Sequence, residues 1–269
     1  MPTNLMSDST FCEIPAGRIA YSRRGSGRPL ILLHPIGVER SWWDEYVQDW
    51  QPAYETVAID MRGHGDSSPV TAPITLSEHA ADIAAVLKQE RIADATLIGV
   101  SMGGMVAQRV AIEYPELVGG LILCATAGGF PDEVRPRIRA RGDMAREGAM
   151  SEVVDDTLTR WFSHDTPRPD LVEKCRSRLL ADDWYSWSAN WQAISQLDNL
   201  SELGAVRQPT LVVAGDADAS IAPAVSQRIA DALPVSRFIS IPQAAHFGAF
   251  DMRDVFVPVF NAFLSSLAR

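Results

Sequence analysis

Short apolar runs alternate along this chain with stretches patterned as helices, and that alternation constrains its fold more than any other feature. PLILLH (29–34), ETVAID (55–60), ATLIGV (95–100), GLILCAT (120–126), TLVVAG (210–215) and RFISIP (237–242) are nearly continuous in apolar character. Strands of that kind are buried on both faces, which requires a mainly parallel sheet with helices on either side. SEHAADIAAVLKQE (77–90) and MVAQRVAIEY (105–114) have the period of such helices. A last helix over 254–268 carries Phe256, Phe260, Phe263, Leu264 and Leu267 on one stripe, with Pro258 expected in its first turn. FCEIP and RIAYSRR flank Ala16-Gly17 and read as an N-terminal hairpin.

The alternation stops between about 128 and 205, where no strand pattern occurs. MSEVVDDTLTRWF places Val154, Leu158, Trp161 and Phe162 on one helical face, with Ser151 as the expected N-cap. DWYSWSANW sets Trp184, Trp187 and Trp191 at i, i+3 and i+7. The chain therefore reads as an α/β core of residues 1–127 and 206–269 carrying a helical cap over 128–205.

One strand-to-helix seam carries chemistry. Gly99-Val100-Ser101-Met102-Gly103 puts a lone hydroxyl between glycines where ATLIGV meets the next helix. A turn that sharp strains the central residue and pushes its side chain outward, and glycine on either side leaves room for the crowded backbone. The helix N-terminus there favours developing negative charge. A serine hydroxyl attacks a carbonyl only with a base beside it, and the base needs an orienting acid. His246, in IPQAAHFGAF, follows the last strand and is the candidate base. TLVVAGDADASIAP offers two carboxylates. Asp218 lies farther into the loop, where it reaches a histidine across the sheet edge; Asp216 is expected to cap the turn or the next helix. The oxyanion needs two N–H donors, and the candidates are Met102, after the serine, and Ile36, in the loop after PLILLH. His34 is read as shaping that loop, His64 as part of a glycine turn, His79 as lying on a surface helix and His164 as solvated. Trp42 and Trp43 are read as packing beside the oxyanion loop.

Charge and cysteine usage narrow the partners. A formal net charge of −10 lacks the basic face that nucleic acid requires and disfavours an anionic membrane surface. Cys12, Cys124 and Cys175 are widely spaced, with no metal-type cluster, and suit free thiols in a reducing cytosol. MPTNLMSDST lacks the apolar core of a signal peptide, and no apolar run has the roughly 18 residues of a membrane span. The expectation is a cytoplasmic protein acting on a small molecule without metal or cofactor, its oligomeric state left open.

With these residues in hand, the chain resembles the α/β-hydrolase superfamily from end to end. The loop from His34 to Gly37, Asp60 to Ser67 (D-x-R-G-x-G-x-S), G-x-S-x-G-G at Ser101, and Gly215 to Asp218 (G-x-x-D) occur in that superfamily's order, as does Ser…Asp…His. Some relatives carry the acid after the preceding strand; here Cys124-Ala125-Thr126-Ala127 has no carboxylate, which favours Asp218. Within the superfamily, RARGDMAREGAMSEVVDDTLTRWF and RLLADDW look like the cap of the 3-oxoadipate enol-lactonases and their carboxylesterase relatives. The likeness implies an α/β-hydrolase fold and a Ser-His-Asp acyl-enzyme mechanism on a small ester or lactone. An enol-lactone of this kind carries a carboxylate, which needs a cation. In EVRPRIRARGDMAR, at most one of the pairs Arg135/Arg139 and Arg137/Arg141 can look inward, and a solvated basic face is the favoured reading. Arg137, Trp161, Trp187 and Trp191 are the candidate substrate contacts. Departures from the group lie in the same region: Pro35 stands where many relatives have glycine, the tryptophan face is bulky, and no tryptophan lies near Val134–Arg135. They leave open a carboxylesterase for compact branched or cyclic acyl groups, a carbon–carbon bond hydrolase of ring-cleavage products, and a slow-turnover ligand receptor. A dehalogenase or epoxide hydrolase would need aspartate in place of Ser101.

Overall fold

The computed structural model describes residues 9–146 and 150–267. Strands β1 (Thr10–Ile14) and β2 (Gly17–Gly25) form the N-terminal hairpin. They are followed by β3 (Arg28–Leu33), β4 (Tyr54–Ile59), β5 (Ala95–Val100), β6 (Val118–Cys124), β7 (Thr210–Gly215) and β8 (Ser236–Ile241). All eight lie in one sheet in the order β1-β2-β4-β3-β5-β6-β7-β8. β2 pairs antiparallel with β1 and β4, and every pairing from β4 to β8 is parallel. The chain runs from β3 to β4 on one side, then crosses to place β5 on the other side of β3. Such a switch point opens a crevice at the carboxyl ends of the strands. The expected strands are all present, with ends shifted by a residue or two. β6 stops at Cys124 because Ala125 takes a φ of 47°.

Helices α1 (Asp44–Trp50), α2 (Leu76–Gln89) and α3 (Met102–Glu113) belong to the first half of the sheet. Between β6 and β7 the chain forms α4 (Arg135–Arg146), α5 (Ser151–Trp161), α6 (Pro169–Ala181) and α7 (Trp184–Ser195). α8 (Pro223–Ala232), α9 (Gly248–Asp251) and α10 (Arg253–Ser266) complete the order. Among the described residues of the insertion the only strand-like feature is an isolated bridge between Gly129 and Asp198. No helix of the described residues is long and apolar enough to cross a membrane.

Four expectations need correction. His79 is buried, not on a surface helix, because α7 lies over that face of α2. Pro258 sits in the second turn of α10, not the first, at an exposed position. Ser151 opens α5 but makes no side-chain cap. Trp184 is 42% exposed at the start of α7, while Trp187 and Trp191 turn inward.

Candidate active site

The carboxyl ends of β3, β5, β7 and β8 bring their loops together along one edge of the sheet. Ser101 joins β5 to α3 with φ 53° and ψ −117°, a strained conformation of the order of 1–3 kcal/mol that its surroundings hold in place. Its N–H donates to the Cys124 carbonyl at 2.9 Å, and its carbonyl accepts the Thr126 hydroxyl at 2.7 Å. A Cβ at Gly99 would overlap the Gly103–Gly104 backbone, and one at Gly103 would overlap the Leu33 carbonyl at the end of β3. The two glycines are thus required by close backbone approach.

His246 Nε2 lies 3.0 Å from Ser101 Oγ, and its Nδ1 lies 2.8 Å from Asp218 Oδ2. With the carboxylate accepting from Nδ1–H, Nε2 is left with its lone pair toward the serine hydroxyl. Asp218 Oδ1 accepts the N–H groups of Ser220 and Ile221 at 2.7 and 2.8 Å, which fixes the carboxylate. Asp216 takes a different part: it accepts the Gln243 N–H at 2.6 Å, pinning the β7 loop to the segment that leads to His246. Gly215 permits that contact, since a Cβ there would overlap the Ala244 carbonyl. All three side chains of the Ser101–His246–Asp218 chain are buried.

The N–H groups of Ile36 and Met102 donate to no other described residue, and both residues are buried. His34 sets the loop that carries Ile36. Its Nε2 accepts the Met61 N–H at 3.0 Å, and its Nδ1 lies 2.7 Å from the Pro35 carbonyl. Burial pushes its pKa down to about 3, so the ring stays neutral, with the proton on Nδ1. Asp60 ties the same region together through the Arg40 N–H, the Asp66 N–H and the Arg40 guanidinium.

Ser101, His246 and Ile36 open onto a cavity of about 50 Å³ whose far wall comes from the insertion: Trp161, Trp191, Ile138, Arg137 and Arg141. The Arg137/Arg141 pair therefore faces the cavity, against the reading of a wholly solvated basic face. Arg135 instead donates to the Ser195 carbonyl and pairs with Asp132. Arg141 has no carboxylate within ion-pair distance among the described residues. Burial, then the like charges of Arg160 and Arg137, push its pKa down to about 10, so it remains a cation at neutral pH. Its guanidinium lies 5.1 Å from the Trp191 ring centre.

Trp161 stacks on Phe247 at 4.7 Å, stands 6.3 Å from His246, and accepts the Phe247 N–H on its carbonyl at 2.9 Å. Trp187 is not part of the cavity wall, which corrects its assignment as a substrate contact. Its ring packs against Trp191, Trp161 and the space over Gly37, and its Nε1–H donates to the Arg141 carbonyl at 3.2 Å. Trp42 and Trp43 are buried in packing, Trp42 directly against Phe247. His164 is exposed beside Asp165. Arg141, Ile138 and Ser220 also line the cavity and were not singled out as contacts; Arg137, Ile138 and Arg141 share a helical face, so the pattern held a signal for the first two. No group of three His, Cys, Asp or Glu residues that could hold a metal occurs among the described residues.

The chain is similar to known proteins over most of its length. The sequence profile of the alpha/beta hydrolase family matches residues 30–259. The chain is 27% identical over 258 residues to 3-oxoadipate enol-lactonase 2 of Acinetobacter baylyi, covering 95% of this chain and 96% of that protein. The solved enol-lactonase from Burkholderia xenovorans superposes with a TM-score of 0.89 at 25% identity, over 95% of this chain and 100% of its own. A hydrolase from Pseudomonas aeruginosa also superposes at 0.89 and 25% identity, over 96% and 98%.

Proposed function

The chain belongs to the alpha/beta hydrolase family, and from that premise we propose that it is a serine hydrolase cleaving a small carboxylic ester or lactone through an acyl-enzyme. The observation that carries this reading is the buried hydrogen-bonded chain Ser101–His246–Asp218 beside two unengaged N–H groups. His246 takes the proton of Ser101 as Oγ attacks the carbonyl, and the imidazolium formed is held by Asp218. The N–H groups of Ile36 and Met102 receive the oxyanion, each worth about 10²–10³ in rate. His246 then protonates the departing alkoxide, and a water activated by the same nitrogen releases the acid. No step draws on a metal or cofactor. Residues 128–205 act as a cap over a core of residues 1–127 and 206–269.

The substrate is 3-oxoadipate enol-lactone or a close analogue. The small cavity suits a compact acyl group, and Arg137 with Arg141 suits a carboxylate on it. The likeness to enol-lactonases supports the same class. A carboxylesterase for compact branched or cyclic acyl groups is the second reading, favoured by the apolar wall of Trp161, Trp191 and Ile138. The test is kcat/KM for the enol-lactone beside small alkyl and branched-acyl esters, with Ser101→Ala as the blank. Preference for the lactone by orders of magnitude supports the first reading, and preference for neutral esters the second. Undiminished turnover by Ser101→Ala rules out both.

A further inference from the structure

The insertion reaches the core through polar contacts that the chemistry above does not use. α7 lies over the glycine loop that follows β4. The Val70 N–H donates to Ser186 Oγ at 3.0 Å, and a Cβ at Gly63 would press on Ser186 and Asn190. Asn190, fully buried, points its Nδ2 at the Ser186 carbonyl (2.8 Å) and the Arg62 carbonyl (3.5 Å). Its Oδ1 is thereby turned toward α2, where His79 Nε2 lies 2.7 Å away. Two carbonyls on one end of the amide fix its orientation, so Nε2 carries the His79 proton and Nδ1 is left without a partner. Burial pushes the pKa of His79 down to about 4, which keeps the ring neutral.

On its other side α7 carries α4. The two helices cross at Gly142, where a Cβ would come within 2.8 Å of the Ser188 carbonyl and of Trp191 Cβ. Trp191 is on α7 and Arg141 on α4, and both line the cavity over Ser101. The placement of these two contacts therefore depends on how α7 sits on the core.

We propose that His79 and Asn190 are positioning residues: their hydrogen bond seats α7 on α2 and thereby holds Trp191 and Arg141 over Ser101. The kinetic part of this inference rests on the serine-hydrolase reading, and the structural part does not. Leucine at 79 fills similar space without a donor, whereas glutamine places an N–H close to the position of Nε2. In His79→Leu, amide hydrogen exchange in α4 and α7 is expected to quicken about 5–10-fold, the worth of one buried hydrogen bond, while β3, β5 and β6 keep the wild-type rate. KM for 4-nitrophenyl hydrogen succinate is expected to rise by about the same factor with kcat little changed, while 4-nitrophenyl acetate, which carries no carboxylate for Arg141 to bind, is hydrolysed as by wild type. His79→Gln is expected to restore both. Exchange in α4 and α7 that is unaltered in His79→Leu, or quickened equally in the sheet, overturns the proposal, as does His79→Gln behaving like leucine. If wild type cleaves neither ester, the serine-hydrolase reading fails, and the exchange data still decide the seating of α7.

Discussion

The sheet edge and the helical insertion hold their functional side chains by different means. At the sheet edge, backbone groups do the holding: Ser101 by its neighbouring glycines and the Cys124 carbonyl of the adjacent strand, Asp218 by the N–H groups of Ser220 and Ile221. In the insertion, Trp161, Trp191 and Arg141 are held by other side chains and by the seating of whole helices. Local backbone geometry changes little when one side chain is replaced, whereas packed helices shift. Under the proposed function, this contrast predicts that the sheet edge sets whether a bond is cleaved and the insertion sets which substrate is taken.

The sharpest way to break the contrast is at Ser101. Ser101→Ala should lower kcat by about 10⁶ while thermal unfolding is unchanged, because the methyl fits and the strained φ of 53° persists. Ser101→Gly relieves that strain and should raise stability by about 1 kcal/mol while being equally inactive. A loss of stability in either variant would mean that the hydroxyl supports the fold. Asp218→Asn comes next. The amide can keep the contacts of Oδ1 but offers N–H toward His246 Nδ1, favouring the wrong tautomer, and kcat should fall by about 10⁴. A loss of only a few-fold would shift the orienting role to another group.

Arg141→Met tests the insertion. It should lower kcat/KM for esters bearing a carboxylate by about 10–100-fold, the range of one charge-assisted hydrogen bond, and leave neutral acetate esters within a factor of about two. Equal losses on both classes would show that Arg141 supports the wall and does not read charge.

The same contrast explains what could be read from the sequence. Ser101, His246 and Asp218 follow from strand ends and turn chemistry, which are written in contiguous residues, and so do the strands themselves. The sequence places His79 on a surface-type helix, and nothing local announces that α7 covers that face. Trp187 and Trp191 share a helical face, yet only Trp191 reaches the cavity; Gly37 and Trp161 receive the other ring. The helical pattern pairs Arg141 with Arg137 but singles out only Arg137 as a substrate contact, because their relative depth depends on where α4 crosses α7. These placements depend on contacts between segments far apart in the chain, whereas those of Pro258 and Ser151 turn on where α10 and α5 begin.

The smallest expected effect concerns a buried carboxylate at the joint between α6 and α7. The side chain of Asp182 is 3% exposed and has one cation beside it, Arg178 Nη2 at 2.6 Å. Burial is the main cause that raises its pKa to about 7; Arg178 opposes the shift, and Glu39 and Asp183 add to it. Asp60, in the core, carries a full set of donors: two backbone N–H groups and the Arg40 guanidinium. Because the folded pKa of Asp182 lies above the unfolded value of about 3.9, the folded state binds the extra proton. Its contribution to stability is therefore greatest below about pH 4, declines as pH rises to about 7, and is flat above. Asp182→Asn removes the charge and keeps the shape. It should match wild type near pH 4 and exceed it by about 1–2 kcal/mol at pH 8, read by urea unfolding at both values. A variant less stable than wild type at pH 8 would mean that the Arg178 pair outweighs the burial of the charge, and the joint of the insertion would then be held as firmly as the loops at the sheet edge.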